Sequence, residues 1–187
     1  MNLRLVRHGE IPSNIRKIYA GRSAEKLTAK GREQALQTAQ KLTNVEVSAL
    51  YSSPVERAIQ TAGIIGDVIG MKYEIDNSFR ELEMGPWEGL SEAEVASRYP
   101  QEWKIWNTRP AELKLQGRET LNRLLERVLE GVRRIHAVGG ERTSVVVTHV
   151  AVIRVLLLWH AGESLNLYKT IHVPNAAVFD LEIDDLP

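Results

Sequence analysis

Apolar residues in this chain alternate between short runs and helical periods, beginning with the run at residues 3–6. That run predicts a strand delivering Arg7-His8-Gly9-Glu10 to one edge of a sheet. Residues 11–26 are polar and irregular, with Pro12, Ser13, Asn14 and Gly21 as loop residues. Thr28 is a helix N-cap, and Ala35, Ala39 and Leu42 recur on one face, so a helix is expected over 29–42. Residues 47–51 form a strand, Ser53-Pro54 opens the next helix, and Val55, Ile59, Ala62, Ile65 and Ile69 mark its buried side up to Gly70. With a further short strand at 73–75 the order is βαβαβ, which predicts a largely parallel sheet with right-handed crossovers.

The pattern then changes. Ser91-x-x-Glu94 is a capping box for a short helix ending before Pro100. Trp87, Trp103 and Trp106, three of the four tryptophans, fall in this section, and the simplest reading is a small helical excursion packed with aromatic rings. Leu121, Leu124, Leu125, Val128, Val132 and Ile135 mark a long amphipathic helix stopped by Gly139-Gly140. The β-branched run at 143–147 is a central, doubly buried strand. Thr148-His149 and an apolar helix over 151–159 follow, and 178–183 is a final edge strand. The expectation is one α/β domain over 1–187 with a helical excursion at about 88–118.

Composition narrows the classes. Lysine plus arginine and aspartate plus glutamate are both 24, so net charge points neither to nucleic acid nor to a membrane surface. No basic run accompanies the tryptophans, as single-strand binding would require. The chain has no cysteine, hence no disulfide framework, thiolate nucleophile or cysteine-based zinc site. Its start lacks the pattern of a secretory signal, and its most apolar stretch, 145–159, is interrupted and too short to span a bilayer. A cytoplasmic, soluble protein is expected.

The candidate chemistry rests on a repeat of position. His8 and His149 each follow a strand expected to be central, so parallel neighbours would bring both rings to one sheet edge. Arg57 lies in the first turns of the helix after residues 47–51, where free N–H groups favour an anion. Two arginines and two imidazoles suit phosphate: guanidinium groups hold the oxygens, and a neutral ring nitrogen can attack phosphorus. The two histidines lack the spacing of a helical metal pair, and no metal site is expected. His136 and His160 read as helix-end residues, and His172 and Asn175 lie in a loop before the last strand.

Arg7-His8-Gly9-Glu10 with Asn14 resembles the opening motif of the histidine phosphatase superfamily, which contains the cofactor-dependent phosphoglycerate mutases. Gly21, Leu27-Thr28, Gly31 and Gln34-Ala35 are similar to its next block. Ser52-Ser53-Pro54-x-x-Arg57-Ala58-x-Gln60-Thr61-Ala62 resembles the segment carrying its second phosphate arginine. Arg80-Glu81, continuing to Gly85-x-Trp87-Glu88-Gly89, resembles its proton-donor segment, and Val147-Thr148-His149 its second histidine. The resemblance implies a three-layer αβα sandwich with a mostly parallel sheet. It also implies His8 as nucleophile through a phosphohistidine, with Arg7, Arg57 and His149 on the phosphoryl oxygens. Asn14 would add a neutral hydrogen bond, and Glu81 would serve as proton donor and then acceptor. Gly21 and Arg22 are expected at the substrate, and no cofactor or metal is implied. Glu10, Glu83 and Glu88 are alternative carboxylates, although the motif register favours Glu81.

Departures from the family pattern bear on substrate preference. Ile11 stands where Thr or Ser is common, Ser23-Ala24-Glu25-Lys26 replaces an Asp- and Pro-containing stretch, and Val150-Ala151 replaces two small residues. Mutase-like members carry a longer, more basic excursion, whereas here it offers Arg98, Lys104, Arg109, Lys114 and Arg118. Hydrolysis of a small phosphorylated metabolite is therefore expected. The alternatives are a phosphoglycerate mutase-type phosphotransferase and a non-catalytic phosphate-binding module. Relatives of this size include α-ribazole-5′-phosphate, phosphoserine and broad-range sugar-phosphate phosphatases. An exposed final strand would also permit a homodimer.

Overall fold

Five strands make one sheet in the order β3-β2-β4-β1-β5, and they lie in a computed structural model that describes residues 1–183. β1 (Asn2–Arg7), β2 (Val47–Ser52), β3 (Tyr73–Ile75) and β4 (Thr143–Thr148) are parallel; β5 (Val178–Glu182) runs antiparallel along β1 at the edge. The helices are α1 (Pro12–Arg16), α2 (Ala29–Leu42), α3 (Glu56–Ile69), α4 (Glu92–Arg98), α5 (Pro100–Thr108), α6 (Leu121–Gly139) and α7 (Val150–His160).

The pleat sorts strand side chains into two cores. Leu3 and Leu5 of β1 and Val146 of β4 join the core containing α6 and α7. Val6, Val145 and Val147 point the other way, against Ala39 and Leu42 of α2 and Ala58, Ala62 and Ile65 of α3. A mostly parallel sheet with helices on both faces results, the three-layer arrangement implied by the family resemblance. β1 and β4 are largely buried on both sides, which is why Val145–Val147 of β4 is a continuous apolar run and residues 3–6 of β1 are apolar but for Arg4, which pairs with Asp180.

Two helices depart from the pattern reading. α1 falls where irregular chain is expected; its five residues are too few to show a helical period, and Pro12 opens it at the first turn. α5 begins at Pro100, the residue that reads as the stop of α4, because proline is compatible with a first helical turn while ending the preceding one. The aromatic section is core. Trp87 is fully buried, and the rings of Tyr19, Tyr99, Trp103 and Trp106 lie 6.1–6.4 Å from it. The Arg118 guanidinium lies over Trp87 at 5.1 Å and Trp106 at 4.3 Å.

Candidate active site

Strand register sets the two histidines side by side. Arg7 pairs with Thr148 at the ends of β1 and β4, and the His8 N–H donates to the Thr148 carbonyl at 3.0 Å, extending the ladder by one residue. The His8 and His149 ring centroids are 5.3 Å apart, tilted by 57°. Both rings are buried, and burial followed by the charge of Arg57 holds both pKa values well below the ordinary 6.5, so both are neutral.

The environment of His8 selects its tautomer. Nδ1 lies 2.7 Å from the Gly9 carbonyl, an acceptor only, and so carries the proton. Arg57 Nε donates to Nε2 at 3.1 Å, which places the lone pair there. Gly9 can sit so close to the next layer because it lacks a side chain: a Cβ would stand 2.2 Å from the Gly31 carbonyl at the start of α2. The Gly9 N–H donates to Thr61 Oγ1, whose hydroxyl donates to the Arg57 carbonyl, tying the loop after β1 to α3.

Arg57, on the first turn of α3, is almost completely buried. Nη1 donates to the Ser23 carbonyl at 3.0 Å and Nη2 to the Gly21 carbonyl at 2.6 Å. Arg7 donates from Nη1 to the Val173 carbonyl at 2.5 Å, and burial lowers its pKa to about 10, leaving it charged at neutral pH. His149 lies beside His8, with Nε2 2.6 Å from Ser53 Oγ and Nδ1 buried without a partner among the described residues. The Asn14 carbonyl oxygen accepts from the Ile11 N–H and from Asn175 Nδ2, which leaves the Asn14 amide nitrogen as its remaining donor. Asn175 also donates to the His8 carbonyl at 3.2 Å, so it braces the site from behind.

A cavity of about 210 Å³ opens over this edge. Arg7, His8, Asn14, Gly21, Arg57 and Glu81 line it. Glu81 is buried, Oε1 accepting from the Leu82 N–H at 2.8 Å; burial raises its pKa, against the opposing charge of Arg57. Glu81 is the only one of the four candidate carboxylates on this cavity. Glu10 accepts from Thr28 and Lys30, Glu83 pairs with Arg22 at 2.9 Å, and Glu88 accepts the Arg22 N–H.

Arg22 does not reach the cavity. Its guanidinium is held instead by the Glu83 and Glu119 carboxylates and the Glu81 carbonyl. Gly21 contributes its carbonyl to Arg57 and adopts a left-handed φ of +51°, in a place where a Cβ would meet the Glu88 carboxylate. His172 is exposed, His136 lies in the last turn of α6, and His160 contacts the Glu182 carbonyl. Sequence reading assigned no role to Ser53 or Thr61, although both lie in the quoted motif. It also missed Arg154, Lys169 and Glu92, which line the far part of the cavity. Arg154 lies three positions after Ala151, on the same helical face, and that spacing was the available signal.

Fold and cavity together define an α/β enzyme that handles a phosphoryl group: paired neutral imidazoles, one buried and one half-buried guanidinium group and one buried carboxyl at a sheet edge. The chain belongs to the histidine phosphatase superfamily (branch 1), whose sequence profile matches residues 3–186. It is 29% identical to Phosphoserine phosphatase 1 of Hydrogenobacter thermophilus, over 99% of this chain and 88% of the relative. It is 30% identical to Glucosyl-3-phosphoglycerate phosphatase of Mycolicibacterium vanbaalenii, over 81% and 70% of the two chains. The solved structure of Bacillus stearothermophilus YhfR superposes with a TM-score of 0.92 at 28% identity, covering 99% of this chain and 92% of the other. The chain is a phosphoric monoester hydrolase of this superfamily.

Proposed function

We propose that the cavity hydrolyses a small phosphorylated metabolite in two in-line transfers at His8. In the first, the His8 Nε2 lone pair forms a bond to phosphorus while the ester P–O bond breaks, and Glu81 gives its proton to the departing oxygen. In the second, water attacks the phosphohistidine, Glu81 takes a water proton, the P–N bond breaks, and neutral His8 returns with inorganic phosphate released. Substrate oxygens replace Nε2 as the partner of Arg57, freeing the lone pair at the moment of binding. Arg7, Arg57 and the free Nδ1 of His149 stabilise the charge on the equatorial oxygens, with the Asn14 amide as a neutral donor. Two guanidinium charges fill the role that a metal ion has in other phosphoryl-transfer sites, so no metal or cofactor enters the scheme.

The observation that carries this reading is the fixed His8 tautomer, with the proton on Nδ1 and the lone pair at Nε2 beside Arg57. The raised pKa of Glu81 supports its part, since a proton donor must hold its proton near neutral pH. Hydrolysis is favoured over transfer to a second monophosphate because the excursion's basic residues stay off the cavity. Arg98 pairs with Glu94, Arg109 with Glu112, Arg118 stacks on the tryptophans, and Lys104 and Lys114 are exposed.

The reading takes 1–187 as one catalytic domain, the last four residues lying outside the described ones. It places that domain in the cytoplasm, without nucleic-acid or membrane partners, and the edge position of β5 would permit a homodimer. No described helix is long and apolar enough to cross a membrane. The test is a panel of phosphomonoesters assayed with excess chelator in wild type, His8→Ala and Glu81→Gln. Activity is expected without metal and absent in His8→Ala; full activity in His8→Ala, or loss on chelation, would reject the reading.

A further inference from the structure

The far part of the cavity holds cations that nothing in the proposed reaction uses. Arg154 projects from α7 on the face shared with Val150 and Ala151, and all three line the cavity. Its Nε donates to the Ile171 carbonyl at 2.9 Å and its guanidinium lies 4.9 Å over the Tyr168 ring, so neutral partners fix it without cancelling its charge. Lys169 comes from the turn after α7. It is held by the Asn107 side-chain oxygen and lies 4.8 Å over the Trp103 ring. Neither forms an ion pair with a carboxylate of the described residues, whereas Arg4, Arg16, Arg22, Lys30, Arg98, Arg109, Arg127 and Arg134 all do.

Charge in the cavity is then incomplete even with phosphate bound. Arg7, Arg57, Arg154 and Lys169 bring four positive charges. A phosphoryl dianion answers two, and Glu92, at the exposed mouth and hydrogen-bonded to the Tyr19 hydroxyl, answers a third. Glu81 must be protonated to serve as donor and answers none. One positive charge remains, and it sits at the Arg154 end.

We infer that the substrate's alcohol portion carries a carboxylate, bound by Arg154 and Lys169, so that this enzyme acts on phosphorylated hydroxy acids or hydroxy amino acids. The inference rests on the phosphatase reading and adds to it the chemistry of the leaving group. Reach agrees with it. Arg154 and Lys169 line the same cavity as Arg7, His8 and Arg57, so one small substrate can meet the phosphoryl site at one end and these cations at the other. A planar guanidinium suits a carboxylate better than a hydroxyl, because it offers two parallel N–H donors with opposite charge. Between the two ends the cavity is lined by Tyr19, Trp106 and Tyr168, an apolar wall suited to the carbon chain that joins ester and carboxylate.

The test uses matched substrates differing in the carboxylate alone: phosphoserine against phosphoethanolamine, and phosphoglycerate against glycerol phosphate. Wild type is expected to favour the carboxylate member of each pair by about tenfold or more in kcat/KM, chiefly through KM. In Arg154→Met that ratio falls toward one, in Arg154→Lys it is partly kept, and in Lys169→Met it falls by a smaller amount. Should Arg154→Met fail to fold, Lys169→Met and competitive inhibition of wild type by short dicarboxylates carry the same test. A ratio near one in wild type, or an unchanged ratio in the folded variants, would overturn the inference while leaving the phosphatase reading standing. p-Nitrophenyl phosphate, which has no carboxylate, reports on that reading separately. If neither it nor any panel member is hydrolysed, both fall together.

Discussion

Two arginine-lined hollows lie on either side of the segment carrying Glu81, and they use the same residue type in opposite ways. In the cavity over His8, Arg7 and Arg57 are held by the carbonyls of Val173, Gly21 and Ser23. Neutral acceptors fix a guanidinium without cancelling its charge, and the charge stays available to an anion. In the neighbouring depression, Arg22 and Arg127 are met by Glu83 and Glu119, with Arg127 bonding Glu119 through Nε at 2.6 Å and Nη2 at 2.9 Å. Burial alone would raise the Glu119 pKa, yet the Arg127 hydrogen bonds hold it below the ordinary range. That second set is a brace: Arg22 and Arg127 both donate to the Glu81 carbonyl at 3.2 Å and hold the proton donor's backbone in place. What neutralises an arginine tells binding from bracing.

The largest effect should come from His8→Ala, with a loss of activity on the order of 10⁴-fold or more and no phosphoenzyme, since the proposed scheme routes both transfers through His8 Nε2. Glu81→Gln should cost ~10²–10⁴-fold on alkyl esters and much less on p-nitrophenyl phosphate, whose leaving group needs no proton. Equal losses on both substrates would remove Glu81 from its role. Arg57→Lys should lower kcat/KM by ~10²–10³-fold, because an ammonium cannot hold Gly21, Ser23 and an oxyanion together. Arg127→Met gives the sharpest contrast: about 1–3 kcal/mol of stability lost, read by denaturant unfolding, from stranding the half-buried Glu119. Its activity should fall less than that of Arg57→Lys. The reverse order would erase the distinction between the two hollows.

The smallest effect concerns pH. His8 and His149 are buried neutral, with folded pKa values below the unfolded 6.5. The unfolded chain therefore binds more protons as pH falls through 6.5, and stability is lost on that acid side. The buried Glu81, its pKa raised, contributes with the opposite sign above its ordinary 4.5, so the comparison is made between variants. The drop in Tm between about pH 7 and pH 5 should be shallower in His149→Gln than in wild type. An unchanged slope would mean that His149 is not buried neutral.

Much of this was legible in the sequence because pattern and chemistry agree. The βα order, the apolar runs of β1 and β4 and the helix caps are local signals, and each strand end placed a histidine where parallel pairing brings them together. α1 and α5 were not legible, one for lack of length and the other because proline punctuates in both directions. Arg22 was misplaced at the substrate because its partners, Glu83 and Glu119, come from segments that only the fold brings near. Arg154, Lys169 and Glu92 escaped for the same reason. They converge from α7, the turn after it and the excursion, with no shared motif.

The most direct test is rapid acid-free quenching of the enzyme during turnover of a phosphomonoester carrying radiolabelled phosphate, followed by peptide mapping. The account predicts transient, acid-labile label confined to the peptide containing His8. Label on any other peptide, or steady hydrolysis with no labelled enzyme at any time, would contradict it.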